Sequence, residues 1–152
     1  MDEQFTPEYV KFILSNEAQC LQKHIDIQLG TVVYSEHIDR MAAVSEVLED
    51  PDNTNADFYA TFEKYSQQSG LRRDEVIVLP SLRDLLRIIE GTEWRWKVQR
   101  SKRRDLVRYV VSASRGDFAD FEFIEEIESD TMLAAAKVAA RAVEAQHETT
   151  TG

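Results

Sequence analysis

Between Glu93 and Ala113 the apolar residues change period, and this change constrains the fold more than any other feature of the chain. Trp94, Trp96 and Val98 alternate with Arg95, Lys97 and Gln99, which places the three apolar side chains on one face of a strand. A helix would scatter them around its circumference. After the polar stretch RSKRRD, the run LVRYVV resumes with β-branched and aromatic residues. The pattern predicts an antiparallel hairpin with its tip near Ser101 to Arg104. That tip contains neither Asn-Gly nor any glycine, so a longer, non-ideal loop is expected there.

Around this hairpin the punctuation predicts helices. Thr6 before Pro7 reads as an N-cap with proline at the first helical position, and Val10, Ile13, Leu14, Ala18, Leu21 and Ile25 recur at helical spacing, giving a helix from Pro7 to His24. Asp26 to Tyr34 suits a short strand or extended turn. Ser35 can cap a second helix with Ile38, Met41, Ala42, Val44 and Leu48 on its apolar face. After the turn-forming residues Pro51 to Asn55, a third helix is expected with Phe58, Phe62 and Tyr65 on one side and Gly70 at its end. Val76 to Leu79, a continuous apolar run before Pro80, reads as a central strand buried on both faces. Ser81 and Asp84 form a capping-box-like start to a helix that Gly91 stops. Asp117 to Glu128 fits neither period cleanly, with a third antiparallel strand favoured. Ser129 or Asp130 caps a last, alanine-rich helix with a seam at Met132, Ala136, Ala139 and Val143, followed by a frayed tail HETTTG. The fold class expected is α+β, with about five helices and a small, mostly antiparallel sheet. The order from Ser35 to Ala113 is compatible with a winged-helix-like arrangement.

At 152 residues the chain has the size of one domain, and neither repeats nor a linker-like stretch divide it. The composition is that of a folded globular chain. Charge, however, is unevenly spread: residues 1–70 carry 13 Asp and Glu against 4 Lys and Arg, residues 71–115 carry 6 against 12, and residues 116–152 carry 9 against 2. An acidic helical part, a basic strand-helix-hairpin part and an acidic C-terminal part are therefore expected within one domain of net charge -10.

Several chemistries find no support in the residues. The glycines Gly30, Gly70, Gly91, Gly116 and Gly152 are isolated, so no phosphate-cradling loop is present, and no cofactor is expected. Cys20 and His24 stand at i, i+4 in a helical pattern, but two ligands without a second pair make no metal site. No local signature surrounds Cys20 or any serine as a nucleophile, and Cys20 is read as an inert, buried thiol. Acidic residues near the N-terminus, a lone cysteine and the lack of an apolar run of roughly 18 residues argue for a cytoplasmic protein with no membrane segment.

The constellation that carries chemistry is the basic hairpin. Seven Lys and Arg residues (Arg95, Lys97, Arg100, Lys102, Arg103, Arg104 and Arg108) and one Asp fall between Trp94 and Arg108, with Trp96 interleaved. Cations release counterions from phosphates while aromatic faces stack on unpaired bases, so this combination points to nucleic acid or another anionic surface, such as an acidic protein. The competing expectation is that the tryptophans are core and the cations an ordinary solvated face. The function expected is that of a non-enzymatic regulatory or adaptor protein; the alternative is an acidic protein-binding inhibitor or assembly subunit acting through its helices, including self-association through the C-terminal helix.

Overall fold

Among the described residues every strand pairing is antiparallel. In the computed structural model, which describes residues 5–36, 39–48, 56–62, 68–117 and 119–151, the chain divides into two compact units, Ile25–Pro80 and the combination of Met1–His24 with Ser81–Gly152. Among the described residues the fold is α+β, with two antiparallel sheets of five and three strands.

The unit Ile25–Pro80 holds the larger sheet. Its strands are β1 (Val32–Ser35), β2 (Arg40–Val47), β3 (Phe58–Phe62), β4 (Gln68–Leu71) and β5 (Val76–Leu79), in the order β4-β3-β2-β1-β5. Cross-strand register aligns Val33 with Ala42 and Val78, Val44 with Ala60, and Phe58 with Leu71. All of these are buried, so they form an apolar core on one face of the sheet, on which Ser35 is a buried polar residue. A bulge between Val44 and Glu46 shifts the β2–β3 register.

This unit corrects the helices expected at Ser35–Leu48 and Asn55–Gly70, because β2, β3 and β4 occupy the described parts of both segments. Phe58 and Phe62 stand four residues apart, which places them on one face of a helix and equally on one face of a strand. Ala60 between them is fully buried, and that intermediate position marks the period as two. Ala42 and Val44, also two apart, are buried in the same way. Asn55, Tyr65 and the turn Pro51 to Asn55 lie outside the described residues. The strand expected at Val76–Leu79 is present as β5, but at the edge of the sheet instead of its centre. With strands where two helices were expected, the winged-helix-like order does not exist, and the larger sheet is not small.

The other unit is built around a helix. α1 (Pro7–Ile13) is capped by Thr6, whose hydroxyl accepts from the Tyr9 amide at 3.2 Å. The single helix expected to His24 is interrupted: the Ser15 hydroxyl donates back to the Phe12 carbonyl, and a 3-10 helix, Asn16–His24, follows. Its buried residues Ala18 and Leu21 are three apart, matching three residues per turn. α2 (Leu82–Glu90) has the full capping box of Ser81 and Asp84 and ends at Gly91, as the sequence predicts. β6 (Arg95–Arg103), β7 (Leu106–Arg115) and β8 (Glu122–Glu128) form the smaller sheet with β7 in the middle. The third antiparallel strand favoured by the sequence is β8.

α3 (Thr131–Thr151) closes the unit, and its helical backbone runs through most of the tail expected to fray. Asp130 Oδ1 accepts from the Met132 amide at 3.0 Å, and Asp130 Oδ2 accepts from the Thr6 hydroxyl at 2.7 Å, so one carboxylate caps α3 and joins it to the cap of α1. Ala134, Ala135, Ala136, Val138, Ala139, Ala140 and Ala142 are all buried. α3 packs against α1, the 3-10 helix and α2, and against β7 and β8. A helix with apolar neighbours on nearly every side needs side chains this small to let its partners approach. The alanine seam is thus filled from within its own unit.

Candidate nucleic-acid interface

The hairpin β6–β7 pairs from Arg95 opposite Ser114 to Arg103 opposite Leu106 without interruption. Its turn is therefore tight, with Arg104 and Asp105 between the paired ends, and the longer loop expected at the tip is not formed. Arg104 takes the left-handed backbone that such a turn requires, at φ 59°. The sequence lacks the usual glycine because an arginine accepts that conformation here.

Alternation along the strands sorts the candidate residues onto two faces. The rows Trp96–Ala113–Ile124 and Val98–Val111–Glu126 belong to the face toward α3, where Val111, Ala113 and Ile124 are buried. Glu126 and Glu128 are held on this side by Arg141 at 3.2 Å and Lys137 at 2.6 Å, respectively. The Glu128 hydrogen bond raises the pKa of Lys137 and fixes its charge. Arg100 and Lys102 have the same parity and project nearer the tip. The opposite face presents the rows Arg95–Ser114–Phe123, Lys97–Ser112–Glu125 and Gln99–Val110–Ile127, with Arg108 and Arg103 beyond them.

The two indoles separate. Trp94 precedes β6 and is only 3% exposed, with the Arg115 guanidinium over its ring. It has no open face for a ligand. Trp96 is 37% exposed, and its Nε1 donates to Glu90 Oε1 at 3.0 Å. Arg95, Lys97, Arg100, Lys102, Arg103, Arg104 and Arg108 are all exposed. Among the described residues none of these seven is paired with a carboxylate: the ion pairs of this unit engage Arg115, Lys137 and Arg141 instead. The acidic C-terminal segment is thus neutralised in part by its own helix, leaving the hairpin cations in solvent.

Sequence reasoning missed the aromatic edge of the same sheet. Phe121 and Phe123 are 60% and 53% exposed and stack with centroids 6.3 Å apart, and Ile127, further along the same face of β8, is also exposed. The available signal was the alternation Phe121, Glu122, Phe123, obscured because Ile124 belongs to the buried face.

Other candidates are not assembled. In the 3-10 helix, Cys20 and His24 are about a third of a turn apart, so the pair does not share a face. The Cys20 thiol lies 3.8 Å from the carbonyl oxygens of Glu17 and Ala140, and burial, with Glu144 nearby, raises its pKa and weakens it as a nucleophile. Among the described residues no group of three or more His, Cys, Asp and Glu could hold a metal ion, and no helix is long and apolar enough to cross a membrane. Compared with models of protein families, with curated proteins and with solved structures, the chain matches none.

Proposed function

We propose that this chain is a non-enzymatic regulatory or adaptor protein of the cytoplasm that contacts nucleic acid through the β6–β7 ribbon. The observation that carries the reading is the set of seven exposed cations on one hairpin, none paired with a carboxylate among the described residues. Cations without internal partners are free to displace the counterions of a phosphate backbone. The net charge of -10 repels a polyanion at long range. At physiological salt that repulsion is screened beyond about 8 Å, so the local patch governs contact. The alternative reading, a protein-binding subunit acting through its helices, draws no comparable support, because the small-residue faces of α3 are filled inside its own unit.

A salt titration of oligonucleotide binding tests the proposal. The native chain should bind at low salt with a log-log slope of about -0.7 to -0.9 per phosphate neutralised, and changing Lys102, Arg103 and Arg104 together to Ala should flatten the slope by roughly 2 to 3. A native chain that binds neither single-stranded nor duplex oligonucleotide at low salt ends the proposal.

A further inference from the structure

From the open face of the β6–β7–β8 sheet we infer that the nucleic acid bound is single-stranded, with its phosphates along β6 and its bases stacked on Phe121 and Phe123 at the β8 edge. The inference rests on the proposal that the β6–β7 ribbon binds nucleic acid.

The arrangement separates charge from aromatic surface in the way a single strand separates phosphate from base. Arg95 and Lys97 stand on the outward face of β6, about 6.8 Å apart given the rise of an antiparallel strand. Two strand spacings away, about 10 Å across the sheet, lies Phe123, in one row with Arg95 and Ser114. Between the two edges stand Ser112 and Ser114, small hydroxyl side chains that leave a shallow floor and can donate to sugar or base oxygens. A duplex keeps its bases stacked on one another and offers no base face to Phe121 and Phe123, whereas a single strand can lay one on them. Charge complementarity chooses this occupant over a second copy of the chain, because among the described, paired residues of this face Arg95, Lys97, Arg103 and Arg108 are accompanied by one carboxylate, Glu125. Two copies placed face to face would oppose like charges.

The test uses the full chain and fluorescence anisotropy with two probes, an oligothymidylate of about 20 nucleotides and a duplex of the same length, each longer than the roughly 4–16 nucleotides that a single OB-fold site spans in other proteins. The single strand should bind more tightly. Changing Phe121 and Phe123 together to Ala should weaken single-strand binding roughly 10- to 100-fold, the loss expected for removing base stacking, without altering its salt slope or the affinity for duplex. Phe123→Trp should retain single-strand affinity, which separates stacking from a general loss of structure. Equal affinity for both probes, or phenylalanine variants that bind like the native chain, overturns the inference and leaves the ribbon proposal standing. Absence of binding to both probes overturns the two together. A native dimer that the double variant dissociates would assign the face to a second copy and likewise overturn it.

Discussion

The Arg115 guanidinium carbon lies 4.6 Å from the centroid of the Trp94 ring, while Nε and Nη2 of the same group donate to Glu122 at 3.0 and 3.2 Å. One planar cation thus joins the residue that enters β6, the end of β7 and the start of β8. Arg115→Ala should destabilise the protein by about 2–3 kcal/mol through the lost stacking and carboxylate bonds. Arg115→Lys, which retains charge but not the planar fork, should cost about half as much. Urea denaturation followed by tryptophan fluorescence measures both; equal stability of the lysine and native proteins would show that charge alone matters.

Gly116 and Gly30 share a φ of 86° but not an environment. A Cβ on Gly116 would clash with the Asp120 carbonyl oxygen, whereas one on Gly30 would meet nothing within 4 Å. Gly30→Ala should therefore cost about 1 kcal/mol, the conformational penalty alone. Gly116→Ala should cost at least about twice that, because the turn between β7 and β8 must also open. Thermal unfolding of the two variants checks the order, and similar losses would mean that the close approach is not a constraint.

The parts of the fold legible in the sequence are those where one period excludes the other. Trp94, Trp96 and Val98 are two apart with cations between them, a pattern no helix satisfies, and β6 is found there. Ser81 and Asp84 combine a cap, its reciprocal partner and a downstream glycine, and α2 follows. The two expected helices that became strands carry apolar residues at spacings of four, which both structures place on one face, so the choice was settled by cross-strand partners distant in sequence. The cations of the candidate site were legible as composition. That Phe123 shares their face while Trp94 is withdrawn into the core depends on where the strands begin and pair, which no local pattern encodes.

The tight turn of the ribbon places Arg104 at a backbone conformation that costs an ordinary side chain about 1–2 kcal/mol. Arg104→Gly should relieve that strain and, after the added freedom of the unfolded glycine is subtracted, raise stability by about 0.5 kcal/mol. The same change removes one cation from the tip, so the salt slope of oligonucleotide binding should fall by roughly one unit times 0.7–0.9. Denaturation and anisotropy of this single variant thus read opposite directions for stability and binding. A variant that loses stability would show that the arginine is not strained, and one that keeps the native slope would remove Arg104 from the contact.

Tyr9 gives α1 a dependence on alkali. Its side chain is fully buried, and burial first, then the charges of Asp130 and Asp84, raise its pKa well above the usual value of 10.0. The unfolded chain releases this proton from about pH 10 while the native chain retains it, so over that interval the native state binds more protons and unfolding becomes easier as pH rises. The stability contributed by the neutral phenol is complete below the unfolded value and is lost between it and the higher native one. The slope attributable to one such group approaches about 1.4 kcal/mol per pH unit. Denaturation of the native chain and Tyr9→Phe between about pH 9 and pH 11 isolates it, because every other titrating group is common to the two. The native curve should fall more steeply than that of the variant above about pH 10, so that the difference between them narrows or reverses. Parallel curves would mean that Tyr9 ionises as readily in the native state as in the unfolded chain, and that the carboxylates at the head of α2 and α3 do not reach it.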